Sequence, residues 1–89
     1  MHGENALSDE ELKLIESRAE AATVGPWHAC VVGRELQTGL NFIEMGSCKP
    51  MEVLGGTVAD QDFIAHARED LPRLVSEIRA LRRRLTQQR

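Results

Sequence analysis

The stretch Asp60–Leu85, DQDFIAHAREDLPRLVSEIRALRRRL, carries the clearest structural pattern in this chain. Its apolar residues recur at alternating spacings of three and four positions: Ile64, Ala67, Leu71, Leu74, Ile78, Leu81 and Leu85. This spacing places them on one narrow stripe of a helix, here called the seam. Such a stripe is typical of helices that self-associate or that dock on a small sheet. We therefore predict a homo-oligomer that assembles through the seam.

Size and composition favour the same interpretation. With 89 residues, the chain is predicted to be a single domain, 1–89. A chain of this size buries only about 60–65% of its unfolded surface. Aromatic residues make up 3% of the sequence, so the core must come from aliphatic side chains and methionine. Oligomerisation would add the buried area that such a small core lacks.

The N-terminal residues resemble neither a secretion signal nor a membrane span. They lack a basic start and an apolar run, and no stretch approaches ~18 apolar residues. Residues 1–7 are predicted to form a flexible tail. Cys30 and Cys48 form no CxxC motif, so reduced thiols are expected. We predict a soluble, cytoplasmic protein that does not bind a membrane.

Charge is distributed unevenly along the chain. The first 70 residues hold thirteen acidic against five basic residues, whereas the last 19 hold one acidic residue against six arginines. A basic C-terminal helix on an acidic body can place a cationic surface where an anionic ligand binds. The overall acidity argues against extended nucleic-acid binding.

A helix is predicted over residues 8–23. Ser8 is suited to cap its first turn, and Glu11 completes a capping box three residues later. Leu7 and Leu12 occupy the positions of a hydrophobic staple. Gly25-Pro26 ends the helix, because proline lacks a backbone donor and disfavours helical dihedral angles at the residue before it.

A β-meander is predicted over residues 27–54. Its strands are Trp27–Val32, Leu40–Met45 and Met51–Leu54, which are rich in β-branched, aromatic or other apolar residues. The connections between them are short, which favours antiparallel pairing.

The segment 60–87 is predicted to be helical, with Asp60 as N-cap. Pro72 favours two helices, 60–70 and 71–87, although a single kinked helix remains an alternative. The fold class is therefore α+β: an N-terminal helix, a three-stranded antiparallel sheet and two C-terminal helices with a heptad seam. In the register of the seam, Glu77 and Arg82 are placed for an interchain ion pair in a parallel dimer.

No catalytic or metal-binding pattern stands out. The serines lie in no G-x-S-x-G turn, and the glycines form no phosphate-binding loop. His28 and Cys30 do not match the spacing of zinc ligands. We expect a non-enzymatic protein without a metal or cofactor.

Arginines provide the candidate ligand site. Arg68, Arg79 and Arg83 lie off the seam, and the last two stand one helical turn apart, where their guanidinium groups could hold two phosphates. Trp27, or alternatively Phe42, could stack on a base. The alternative interpretation is a solvated basic helix face with both aromatic residues in the core.

The stretch DFIAHAREDLPRL, Asp62–Leu74, followed by Ile78–Arg82, resembles the C-terminal signature of small phage and prophage proteins that are loosely called Ead-like. The first helix with AATVGPW, Ala21–Trp27, is similar to the N-terminal end of such proteins. More loosely, the architecture resembles oligomeric phage anti-defence sponges.

This resemblance implies a binding protein that sequesters a cyclic nucleotide or a cyclic ADP-ribose-type immune signal at an oligomer interface, without turnover. The alternative is an oligomeric interaction protein that binds and inhibits a host protein. The ligand role of the arginines rests on the physical argument above and not on the resemblance.

Overall fold

The computed structural model describes residues 6–88. They form two helices and a three-stranded sheet: α1 (Asp9–Ala21), β1 (Trp27–Cys30), β2 (Phe42–Met45), β3 (Cys48–Glu52) and α2 (Val58–Gln87). The α+β class is confirmed. Residues 1–5 of the predicted flexible tail lie outside the described residues.

The chain divides into two compact units. The sheet unit, Thr23–Asp70, contains the three strands and the first part of α2. The helical unit combines α1 with the part of α2 that begins at Leu71. Each unit is described separately below.

The capping box of α1 is confirmed. The Ser8 hydroxyl accepts a hydrogen bond from the Glu11 backbone N–H at 3.0 Å, and the Ser8 N–H donates to Glu11 Oε1 at 2.9 Å. Three acidic residues in the first turn also suit the positive end of the helix dipole. The helix ends at Ala21, two residues earlier than predicted.

The sheet is the predicted antiparallel meander, in the order β1-β2-β3. The third strand begins at Cys48 instead of Met51, because Gly46 adopts a φ of 59° and allows a two-residue turn directly after β2. Pro50 thus lies inside β3, an edge strand, where a missing backbone donor is tolerated.

The first two strands are shorter than predicted. A compact turn follows β1, in which the Val31 carbonyl accepts hydrogen bonds from the N–H groups of Arg34, Glu35 and Leu36 at 3.0–3.1 Å. These bonds replace strand pairing, so β1 ends at Cys30.

The division of the C-terminal segment into two helices is corrected: α2 runs unbroken for 30 residues and contains Pro72. Proline removes the hydrogen bond to the carbonyl of Arg68, four residues earlier. The stretch 69–74 is exposed, so water can solvate the groups around the ring. The helical turns before and after Pro72 are each packed within the chain, and this packing stabilises the unbroken helix.

The N-cap of α2 is Thr57 and not Asp60. The Thr57 N–H donates to Asp60 Oδ2 at 2.9 Å, while the Asp60 N–H donates to the Thr57 hydroxyl at 3.1 Å. Asp60 therefore fills the N3 position of a second capping box, and the helix begins at Val58.

The core of the sheet unit centres on Ala29, Ile43 and Ala65, with Trp27 packed against it. Gln61 lies beside this core and is only 1% exposed. Its Nε2 donates to the carbonyl of Cys30 at 3.2 Å and to that of Phe42 at 2.9 Å. These carbonyls belong to facing residues of β1 and β2, so one amide joins the first turns of α2 to two strands.

We predict that Gln61→Leu lowers the free energy of unfolding by about 2 kcal/mol, because it leaves two carbonyl groups without their donor. For a chain of this size, the melting temperature should fall by roughly 10 °C. Gln37→Leu, in the exposed turn after β1, is the matched control and should change stability little. Equal melting temperatures for the two variants would contradict the assigned role of Gln61.

Candidate functional site

The helical unit joins α1 to the C-terminal part of α2. Leu12 and Val75 are 1% and 3% exposed. Arg79 Nη2 forms an ion pair with Glu16 Oε1 at 2.7 Å, and Arg82 pairs with Asp9. Arg82 also donates to the carbonyl of Leu7 at 2.7 Å. Two arginine side chains of α2 thus hold α1 in position.

A groove of about 560 Å³ lies between these two helical segments. It is lined by Asp9, Glu10, Leu12, Lys13, Arg79, Arg82, Arg83, Thr86 and Gln87. Two of the predicted ligand residues, Arg79 and Arg83, therefore share one site. Sequence analysis did not name Lys13, and it assigned Arg82 to an interchain ion pair and not to the ligand site.

Four basic and two acidic side chains line the groove. Arg83 and Lys13 are exposed. Arg79 and Arg82 already bind carboxylates, which an incoming phosphate would have to displace. Because both ion pairs are partly solvated, such an exchange would cost little.

The other two predicted ligand residues, Trp27 and Arg68, lie in the sheet unit and share one partner. Arg68 Nε and Trp27 Nε1 donate to the carbonyl of Thr23 at 2.8 and 3.1 Å. A Cβ at Gly25 would lie 2.5 Å from Glu69 Oε2, so the Gly25-Pro26 turn contacts α2 closely. Trp27 and Arg68 therefore both have a structural contact with Thr23. Their role in ligand binding stays a prediction.

Phe42, the alternative stacking residue, is half-buried. It lines a shallow groove of about 300 Å³ together with Leu36, Thr38, Gly39, Leu40, Pro50 and Glu52. This lining contains an acidic residue and no basic one, so it does not suit a phosphate.

The seam faces solvent over most of its length. Five of its seven residues are exposed, from 41% at Ile64 to 67% at Leu85, and Ala67 and Ile78 are half-buried. The buried residues of α2 are Gln61, Ala65 and Val75, which lie on a neighbouring face. The helix therefore packs within its own chain through a different face from the one that the heptad spacing marks.

An ion cluster in the sheet unit was missed by sequence analysis. The guanidinium of Arg34 donates to both oxygens of Asp62 at 2.9 Å and through Nε to Glu35. Hydrogen bonds from Arg34 lower the pKa of both carboxyl groups, and these bonds raise the pKa of Arg34. The cluster is solvated and ties the turn after β1 to α2. Arg34 and Asp62 lie 28 residues apart in the sequence, and no local motif indicates that they pair.

The cysteines lie in different settings and are both free thiols. Burial raises the pKa of the Cys30 thiol, whereas Cys48 is exposed on the edge strand. Within residues 6–88, no group of three or more His, Cys, Asp or Glu side chains could hold a metal ion.

Comparison with protein-family models, with curated proteins and with solved structures found no match to this chain. No helix in the described part of the chain is long and apolar enough to cross a membrane. The geometry of the seam and of the arginine groove is therefore the basis for the functional proposals.

We predict that Arg68→Ala lowers the free energy of unfolding by about 1–2 kcal/mol, because the Thr23 carbonyl loses a charge-assisted donor. Arg83→Ala removes the same side chain from an exposed position of the same helix and should change stability by less than about 0.5 kcal/mol. Urea unfolding of both variants measures the difference. A neutral Arg68→Ala variant would show that its contact with Thr23 is not structural.

Proposed function

We propose that this chain is a non-enzymatic binding protein that self-associates through the seam. The observation that carries the proposal is the exposure of Leu71, Leu74, Leu81 and Leu85 on a helix whose intrachain contacts use another face. Four large apolar residues in one stripe form a contiguous surface of the kind that marks interaction sites.

The free energies of burial and association favour a reversible assembly. Each half-exposed leucine that becomes buried contributes about 1 kcal/mol. Two copies bring eight such leucines to one interface, and association costs about 4–15 kcal/mol. The gain and the cost are of similar size, so a dimer that dissociates on dilution is expected.

We further propose that the ligand is a phosphorylated nucleotide signal, of the cyclic nucleotide or cyclic ADP-ribose type, and that it is held in the groove lined by Arg79, Arg82 and Arg83. The volume of the groove suits a ligand of that size. Arginine forks pair well with phosphate oxygens. Arg83 projects from the side of α2 remote from the seam, which favours a site within each subunit over one between subunits.

A second candidate function rests on the same exposed seam. An apolar helix face can take an amphipathic helix of another protein as readily as a second copy. In that case the chain would bind and inhibit a host protein. A wild-type chain that stays monomeric at high concentration while its seam remains exposed would favour this alternative.

We predict that wild type sediments as an oligomer that dissociates between ~500 and ~1 µM, the range of moderate affinity. Leu74→Asp should weaken association at least about 100-fold, because a carboxylate would be buried without a partner. Ser17→Asp adds the same charge at an exposed position of α1, outside the seam, and is the control. Circular dichroism checks that both variants fold. Equal association of the two variants would contradict an interface at the seam.

A ligand-retention assay tests whether the groove binds a nucleotide. The purified protein is incubated with cyclic ADP-ribose isomers and with cyclic di- and trinucleotides, desalted and heat-denatured, and the supernatant is analysed by mass spectrometry. We expect intact nucleotide to be released only on denaturation, and we expect Arg79→Glu/Arg83→Glu to abolish retention.

Arg73→Glu is the charge control for this assay, because Arg73 is exposed on the same helix and does not line the groove. It should retain nucleotide as wild type does. Wild type that retains none of the nucleotides would refute the ligand proposal, and retention that survives the double substitution would refute the groove as its site.

A further inference from the structure

The two flanks of the seam differ in exposure. On one side, here called the inner flank, the positions are half-buried or buried by intrachain contacts: Arg68, Val75 and Arg82. On the other side, the outer flank, the positions are all exposed: Asp70, Glu77 and Arg84. The outer flank is therefore the more accessible of the two to a partner helix.

This asymmetry disfavours a parallel pair. In a parallel two-stranded coil, the outer flank of each helix meets the inner flank of the other. Glu77 would then need Arg82 of the partner subunit. Arg82 is already held by Asp9 and by the carbonyl of Leu7. The interchain pair expected from the sequence therefore competes with an intrachain one.

An antiparallel pair instead brings the two outer flanks together on one side of the interface and the two inner flanks together on the other, so Glu77 does not need Arg82 of the partner subunit. Resting on the proposed self-association, we infer that the seam binds a second copy of this chain in antiparallel orientation, with the two-fold axis beside Ser76 and Glu77. Leu74 then faces Ile78 of the partner subunit, and Leu71 faces Leu81 of the partner subunit. The inner flanks keep their intrachain partners.

Charge complementarity selects this register. When the seam residues face one another in this way, Asp70 lies opposite Arg84 of the partner subunit, and symmetry repeats the pair. Each dimer therefore gains two ion pairs at its ends. At the axis Glu77 faces Glu77 of the partner subunit, so the arrangement also contains one repulsive contact. That contact provides a distinctive test.

A charge swap tests the orientation by sedimentation equilibrium. Asp70→Arg alone and Arg84→Asp alone should each weaken the dimer about 3–10-fold, because each replaces two attractive pairs with like charges. The double variant Asp70→Arg/Arg84→Asp should return to within about 3-fold of wild type. Glu77→Gln should tighten the dimer, because it removes the repulsion at the axis. All three positions are exposed, so these variants should fold.

Disulfide trapping gives an independent readout. In a Cys48→Ser background, where Cys30 stays buried, Glu77→Cys should cross-link to itself across the axis. Leu85→Cys lies near one end of the seam and should cross-link to itself only in a parallel pair.

A dimer in which the double variant shows no rescue, or in which Leu85→Cys cross-links and Glu77→Cys does not, overturns the antiparallel arrangement and leaves self-association intact. A wild type that remains monomeric at every concentration overturns both. Rescue together with the Glu77→Cys cross-link supports the inference. In a parallel pair, Asp70 and Arg84 would stand about 21 Å apart along the helix, so rescue could not occur.

Discussion

The buried amide of Gln61 organises the sheet unit, because it joins the first turns of α2 to two strands. A side-chain amide that is 1% exposed is tolerated only if its polar atoms are bonded, and its two acceptors lie at the ends of β1 and β2. In the sheet unit, these bonds fix which face of the first turns of α2 meets the strands. Gln61 and Ala65 are buried there, whereas Ile64 is exposed. In the helical unit, Val75 is buried, whereas Leu74 and Leu81 are exposed.

The functional proposals depend on which side chains of α2 are used in intrachain contacts and which stay exposed. Three arginines of α2 serve the chain itself, since Arg68 binds the Thr23 carbonyl while Arg79 and Arg82 bind carboxylates of α1. The basic character of the helix is therefore partly structural. Arg83 is the predicted ligand residue that remains exposed. Within residues 6–88 no comparable intrachain bond involves the leucines of the seam, and self-association is the role that we propose for them.

The features that could be predicted from sequence are those that depend on residues close together in the chain. The Ser8 and Glu11 capping box and the antiparallel meander arise from contacts between nearby residues or from simple periodicity. The bonds of Gln61 could not be foreseen, because they reach backbone carbonyls 31 and 19 residues away. The same holds for the groove, since nothing local pairs Arg82 with Asp9. At Pro72, intrinsic preference predicted a break, but packing on both sides overrode it.

Hydroxyl-radical footprinting read by mass spectrometry measures the exposure of individual side chains in α2. We expect Val75 to be protected at all concentrations, whereas Leu74 and Leu81 should be reactive in dilute protein and become protected as the concentration rises. Protection of Leu74 and Leu81 in the dilute chain, with Val75 reactive, would show that the seam is the inward face and would rule out an exposed seam.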